Sequence, residues 1–200
     1  TSFDRGIDIA LFSAGGSTST KFAPIAASKG VVVIDNSSAF RMAKDVPLVV
    51  PEVNESDISK HNGIIANPNC STIQAVVALK PLHDKYGIKR IVYSTYQAVS
   101  GSGVKGINDL QNGLANKPNT FYPHPIADNC LPHIDVFEAN GYTKEEMKMI
   151  NETKKILNDY DIRITATTVR VPVSNCHSES VNVELNKDFD LGELKETLKN

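Results

Sequence analysis

The apolar positions of this chain follow two patterns. Over the first third they come as short runs: Ile7–Phe12, Val31–Ile34, Val46–Val50 and Ile64–Ala66. Runs of this length, bounded by turn residues, fit strands buried on both faces. Ser13-Ala-Gly-Gly-Ser-Thr-Ser19 follows the first run, and a helical stretch over Lys21–Lys29 stops at Gly30, where a capping glycine is expected. Strand, glycine-rich turn, helix and strand make a βαβ unit, which predicts a parallel sheet with helices on its faces.

Beyond residue 70 the pattern lengthens. Ile73, Val76, Val77, Leu79 and Leu82 recur at near-helical spacing within Ser71–Tyr86, and Gly87 closes the stretch. Arg90–Gln97 reads as a strand broken by Gly101-Ser-Gly103, and Val104–Leu114 as a helix. Lys117–Pro132, with Pro118, Pro123, Pro125 and Pro132, is irregular. Thr143-Lys-Glu-Glu146 is a capping box that opens a charged amphipathic helix running to Tyr160. Ile162–Val173 and Ser180–Leu185 alternate apolar and polar residues, which predicts antiparallel strands joined through Ser174–Glu179; Asp190–Lys199 reads as a terminal helix. The fold class is α/β: a Rossmann-type parallel sheet over residues 1–68, then a mixed α+β region over residues 69–200, with the change near Asn67–Cys70.

Composition narrows the function classes. The 200 residues are 40% hydrophobic and 22% charged, with a net charge of −2 and a pI near 6.2, so nothing favours a nucleic acid or an anionic membrane as partner. No apolar run approaches the ~18 residues of a membrane span. Thr1-Ser-Phe-Asp-Arg-Gly6 has neither an initiator Met nor a signal segment, so the chain reads as cytoplasmic and as beginning inside a larger protein. Cys70, Cys130 and Cys176 form no Cys-x-x-Cys pair, which fits a reducing compartment; with His133 and His177 they match no zinc spacing, and no metal is expected.

Cys70 lies between a strand end and a helix start, where backbone N–H groups and the helix dipole favour a thiolate and could hold an oxyanion. The other reading is a small buried cysteine, against which its polar neighbours Asn69, Ser71 and Thr72 argue. His177, on a polar turn, is either the base for that thiol or a solvated turn residue. His124 and His133 read as structural or surface residues. Ser13–Ser19 places small residues where backbone can approach a phosphate or a nicotinamide cofactor, without a Gly-x-Gly-x-x-Gly. Arg41, Lys148 and Arg170 are candidate anion ligands or surface charges, and Glu145 with Lys148 could be only a helix-face pair. Arg170, between Val169 and Val171 in a strand, is a charge that needs a reason.

Six blocks occur together: Asn36-Ser-Ser-Ala-Phe-Arg41, Val49-Val-Pro-Glu-Val-Asn54, Asn67-Pro-Asn-Cys-Ser-Thr-Ile73, Ser94-Thr-Tyr-Gln-Ala-Val-Ser-Gly101, Glu145-Glu-Met-Lys148, and Val169-Arg-Val-Pro-Val173 with Cys176-His-Ser-Glu-Ser180. In residues and order they resemble bacterial-type aspartate-semialdehyde dehydrogenases. The resemblance implies a glyceraldehyde-3-phosphate-dehydrogenase-like architecture, with residues 69–200 forming a catalytic and dimerisation domain. It implies NADP-dependent reductive dephosphorylation of aspartyl phosphate to aspartate semialdehyde, on the route to lysine (through diaminopimelate), methionine and threonine. It implies Cys70 as nucleophile, His177 as acid/base and Gln97 as the residue orienting substrate; Arg170, Glu145 and Asn69 against the substrate; Arg41 and Lys148 at inorganic phosphate. Ser13, Ala14, Gly15, Gly16, Asn36, Ser37, Ser100 and Gly101 match NADP contacts, and the expected assembly is a homodimer or homotetramer.

Against that family the chain lacks the leading glycine-rich phosphate loop and the C-terminal portion, so the expectation is a fragment whose activity alone is in question. Thr168 stands where many relatives are expected to carry Cys. A related acyl-phosphate reductase, such as one acting on N-acetylglutamyl phosphate, and an inert dimerisation fragment are the other readings.

Overall fold

The computed structural model describes residues 2–199. In chain order its main elements are β1 (Ile9–Phe12), α1 (Gly16–Ala27), β2 (Val32–Asp35), α2 (Pro51–Asn54), β3 (Ile64–Ala66), α3 (Cys70–Tyr86), β4 (Ile88–Gln97), α4 (Gly103–Leu114), α5 (Lys144–Leu157), β5 (Arg163–Arg170), β6 (Ser178–Leu185) and α6 (Leu191–Thr197). Two compact units result, and neither is a single stretch of sequence. The first takes the chain up to Gly87 together with Asn151–Asp161 and the segment from Lys187; the second takes Ile88–Ile150 and Ile162–Asn186. The contacts thus divide otherwise than by one cut at residue 68, and α3 with Cys70 belongs to the first unit.

In the first unit, β1, β2 and β3 form a parallel sheet in that order, as the βαβ pattern predicts. Ala23 and Ala26 of α1 are fully buried, as is Val33 of β2. Helix α1 starts at Gly16, earlier than the stretch from Lys21 that the sequence suggests. On α3 the buried apolar positions are Ala75 and then Val76, Leu79, Leu82 and Tyr86, the last four spaced three or four apart, while Val77 is exposed. Val46–Val50 is not the expected strand. Pro47 has no N–H to donate and Pro51 starts α2, so only one parallel bridge forms, Leu48 to Ala66, although Val46, Leu48, Val49 and Val50 are all buried.

In the second unit, β4 is the middle strand of the order β5-β4-β6, parallel to β5 and antiparallel to β6. The expected β5–β6 pairing is therefore corrected: the two strands run in opposite directions, but β4 lies between them. Ile91, Tyr93, Thr95 and Gln97 give β4 a continuous buried face, and its backbone N–H and C=O groups pair with a strand on each edge. The capping box of α5 forms as written, Thr143 N–H to Glu146 Oε2 at 2.7 Å and Glu146 N–H to Thr143 Oγ1 at 3.3 Å. The proline-rich segment folds back on α4. Val99, Leu110, Ile126 and Leu131 form a small core, and buried Asp109 accepts from the N–H groups of Thr120, Phe121 and Tyr122 at 2.7–2.9 Å. Burial alone would raise the Asp109 pKa, but those donors outweigh it and hold it below the ordinary aspartate value.

Candidate active site

In a parallel sheet, ligands meet the carboxyl ends of the strands. In the first unit, that edge carries every candidate residue from this part of the chain. Ser13–Gly16 follows β1, Asn36, Ser37 and Arg41 follow β2, and Asn69 and Cys70 follow β3. Asn36 N–H donates to Phe12 O at 2.8 Å, and Asn67 Nδ2 to Asn36 Oδ1 at 2.8 Å, so the three strand-end loops are tied together. Asp35, fully buried, ties α1 to the loop after β2: it accepts from Ser19 Oγ at 2.6 Å and from Ser37 Oγ at 2.8 Å. The Ser13–Gly16 loop fits a cofactor backbone in three respects. Gly15 has φ +90°, a Cβ on Gly15 or Gly16 would meet nothing within 4 Å, and the N-cap position of α1, Gly15, carries no side chain to cap its first amides.

Cys70 is the first residue of α3 and is exposed, so the buried-cysteine reading falls. Asn69, buried, is the N-cap: its side-chain oxygen accepts from Ser71 N–H at 3.0 Å and Thr72 N–H at 3.3 Å. This alters two expectations. The amides of Ser71 and Thr72 are engaged by the cap rather than presented to an oxyanion, and the side-chain oxygen of Asn69 faces the helix that carries Cys70.

Arg41 is buried, and its guanidinium is already partnered. Nη1 lies 3.1 Å from Glu152 Oε1, and Nη2 donates to Asn36 O at 3.1 Å. Glu152 also accepts from Asn69 N–H at 2.6 Å. One turn on, Lys155 Nζ donates to the carbonyls of Arg41, Ala43 and Val46 at 2.7–2.9 Å. Burial holds the Lys155 pKa below the ordinary lysine value, with Asp45 and Glu152 opposing. Sequence reasoning passed over Glu152, Lys155 and Asp35. The first two sit in a helix whose charges read as solvated, and the only available signal was that Glu152 and Lys155, three apart, share a face with Lys148.

The second unit gathers the remaining candidates at one end of its sheet. Gln97 and Arg170 are register partners at the ends of β4 and β5, and His177 immediately precedes β6, whose Ser178 pairs with Tyr96. Gln97 Nε2 donates to Glu145 Oε1 at 3.0 Å. Arg170, buried, donates from Nη1 to Ala98 O at 2.6 Å. A Cβ on Gly101 would lie 3.1 Å from His177 Cε1 and 3.2 Å from Arg170 Nη1, so a side chain there would crowd both groups. Lys148 bridges Glu145 at 3.1 Å and Asp135 at 3.0 Å. Burial disfavours its charge, but Glu145 and Asp135 outweigh that and raise its pKa above the ordinary lysine value. Asp135 is another residue that sequence reasoning missed, in a loop without periodicity. A cleft of about 500 Å³ in this unit is lined by Glu145 and Arg170 with Ser102, Tyr122, His133 and Asp135.

His177 is half-buried, and its Nδ1 accepts from Ala98 N–H at 3.0 Å. In the neutral ring the proton therefore sits on Nε2. Burial first, then the Arg170 charge, hold the His177 pKa below its ordinary value, and Glu145 offsets them only in part. A second proton on Nδ1 would also face the Ala98 N–H. Thr168, fully buried, donates its N–H to Glu146 Oε1 at 3.1 Å and so serves packing. Of the two histidines set aside, His124 is exposed, whereas His133 lies with its ring 4.7 Å from that of Phe137. Among the described residues no group of three or more His, Cys, Asp or Glu is arranged to hold a metal ion, and no helix is long and apolar enough to cross a membrane.

The chain is an α/β protein with a parallel sheet, a second mixed sheet, an exposed cysteine at a helix start and a Gln–Glu–Arg–His cluster. The family model of the semialdehyde dehydrogenase dimerisation domain matches residues 79–200, and that of the semialdehyde dehydrogenase NAD binding domain matches residues 1–61. The chain belongs to the semialdehyde dehydrogenase family. It is 60% identical over 205 residues to aspartate-semialdehyde dehydrogenase of Aquifex aeolicus, an alignment covering 98% of this chain and 60% of that protein. The crystal structure of aspartate semialdehyde dehydrogenase II of Vibrio cholerae complexed with ASA matches it with a TM-score of 0.94 and 51% identity, over 98% of this chain and 61% of the other. Aspartate semialdehyde dehydrogenase with NADP from Candida albicans matches with a TM-score of 0.73 and 27% identity, over 95% of this chain and 55% of the other. The chain thus spans about 60% of the length of the first two of these relatives.

Proposed function

We propose that this chain carries the acyl-transfer machinery of an NADP-dependent aspartate-semialdehyde dehydrogenase. The observation that carries the reading is the convergence of Gln97, Glu145, Arg170 and His177 at one end of the second sheet. Arg170 suits a substrate carboxylate and Glu145 its ammonium group. A related acyl-phosphate reductase without a free ammonium on its substrate would not need Glu145.

In the reductive direction the Cys70 sulfur attacks the acyl-phosphate carbonyl carbon. A C–S bond forms, the C–O bond to phosphate breaks, and inorganic phosphate leaves towards Arg41 and Lys148, whose charges favour the departing anion. Gln97 orients the acyl group. When bound, the nicotinamide supplies the hydride that reduces the thioester carbon; Ser13–Gly16, Asn36, Ser37 and the Ser100–Gly101 turn would hold the cofactor. The neutral His177 ring donates a hydrogen bond from Nε2–H to the oxygen as negative charge develops there. The C=O bond then re-forms as the C–S bond breaks, releasing the aldehyde and restoring the Cys70 thiolate.

In domain terms, residues 1–68 would serve the dinucleotide and residues 69–200 catalysis and dimerisation. A homodimer, or a tetramer built from it, is supported by the match to the dimerisation domain, and the setting is cytoplasmic biosynthesis leading to lysine, methionine and threonine. The test is phosphate-dependent reduction of NADP by aspartate semialdehyde, with NAD and N-acetylglutamate semialdehyde assayed in parallel. Activity with aspartate semialdehyde that falls on the order of 10⁴-fold in Cys70→Ala is expected. Undiminished turnover in Cys70→Ala would overturn the mechanism, and a preference for the acetylated substrate would favour the related reductase.

A further inference from the structure

Glu152 stands where two candidate functions meet. The residue is 1% exposed, and a buried carboxylate is costly unless its oxygens are well partnered. Oε1 faces the Arg41 guanidinium at 3.1 Å, and Oε2 takes the backbone N–H of Asn69 at 2.6 Å in a charge-assisted bond. Asn69 is the cap of α3, and the next residue is Cys70. Arg41 in turn holds Asn36 O, and Lys155 grips the same loop through three carbonyls. One side chain therefore sets both the direction of the Arg41 guanidinium and the start of the helix that presents the thiol.

We propose that Glu152 is a positioning residue, fixing Arg41 for phosphate and the Asn69–Cys70 turn for acyl transfer in one arrangement. The proposal rests on reading Arg41 as a phosphate ligand and Cys70 as the nucleophile. Each oxygen of Glu152 has its own consequence. Glu152→Gln keeps the size and an acceptor for Asn69 N–H but removes the charge facing Arg41. Glu152→Ala removes both contacts.

The test uses isothermal titration with inorganic phosphate and the rate of Cys70 alkylation by iodoacetamide, read by peptide mass. Thermal unfolding controls for the fold, and Arg41→Ala is the reference. Glu152→Gln is expected to weaken phosphate binding about tenfold while Cys70 alkylation stays within about twofold of wild type. Glu152→Ala is expected to weaken phosphate equally and to change the alkylation rate about threefold or more. Should Glu152→Ala fail to fold, the split in Glu152→Gln decides alone. Unchanged phosphate binding in Glu152→Gln, with binding lost in Arg41→Ala, would overturn the positioning role and leave Arg41 as the ligand. Phosphate binding that is absent in wild type or untouched by Arg41→Ala would overturn the reading of Arg41, and the proposal with it.

Discussion

At the level of single residues, neighbours decide what each candidate can do. The sequence around Cys70 allows a buried inert thiol or a presented one; the cap made by Asn69 and the exposure of the sulfur select the second. For His177 burial comes first, then the Arg170 charge, and with the Ala98 N–H they make the charged ring unfavourable in the folded protein. The sign follows from linkage: a histidine whose folded pKa is depressed binds its proton more readily when unfolded. Its stabilising contribution is complete above the unfolded value of about 6.5 and declines as pH falls through the lower folded value. Thermal unfolding between pH 7.5 and 5 should therefore lose less stability on the acid side in His177→Gln than in wild type. Identical acid-side slopes would contradict this account of the site.

Local motifs brought Cys70, Gln97, Glu145, Arg170 and His177 forward as candidates from the sequence, because each lies in a distinctive run. Glu152, Asp35 and Asp135 were not, since each acquires its role from a residue distant in the chain.

The elements show the same division between local and distant causes. The capping box at Thr143–Glu146 and the amphipathic face of α3 are local, and both form as the sequence says, the latter with Ala75 and Tyr86 rather than Val77 inside. The middle position of β4 is not local. Nothing in the alternation of β5 and β6 announces that β4, far earlier in the chain, will pair with both. The proline-rich segment is another nonlocal case, held by Asp109 through three backbone amides and the Thr120 hydroxyl. Removing that carboxylate leaves several partly buried donors without acceptors, so Asp109→Ala should lower stability by about 3 kcal/mol in chemical denaturation. A loss below about 1 kcal/mol would show that the loop is held by its apolar contacts instead.

For the molecule as a whole, fold class was legible and the division into units was not. Parallel order in the first sheet follows from the βαβ pattern, yet the first unit also recruits Asn151–Asp161 and the segment from Lys187, which no hydrophobic period foretells. The consequence reaches a candidate site residue, because Asn151–Asp161 is the segment that brings Glu152 and Lys155 to the Arg41 loop. The chain belongs to the semialdehyde dehydrogenase family, and the function proposed for it makes Cys70 the acyl carrier. That claim is tested most directly by supplying aspartate semialdehyde and NADP without phosphate, quenching in acid and mapping the peptides by mass. The account predicts an aspartyl thioester on Cys70, absent in Cys70→Ala and discharged when inorganic phosphate is added before the quench. NADP reduction with no acyl group on Cys70, or an acyl group on Cys130 or Cys176 instead, would contradict it.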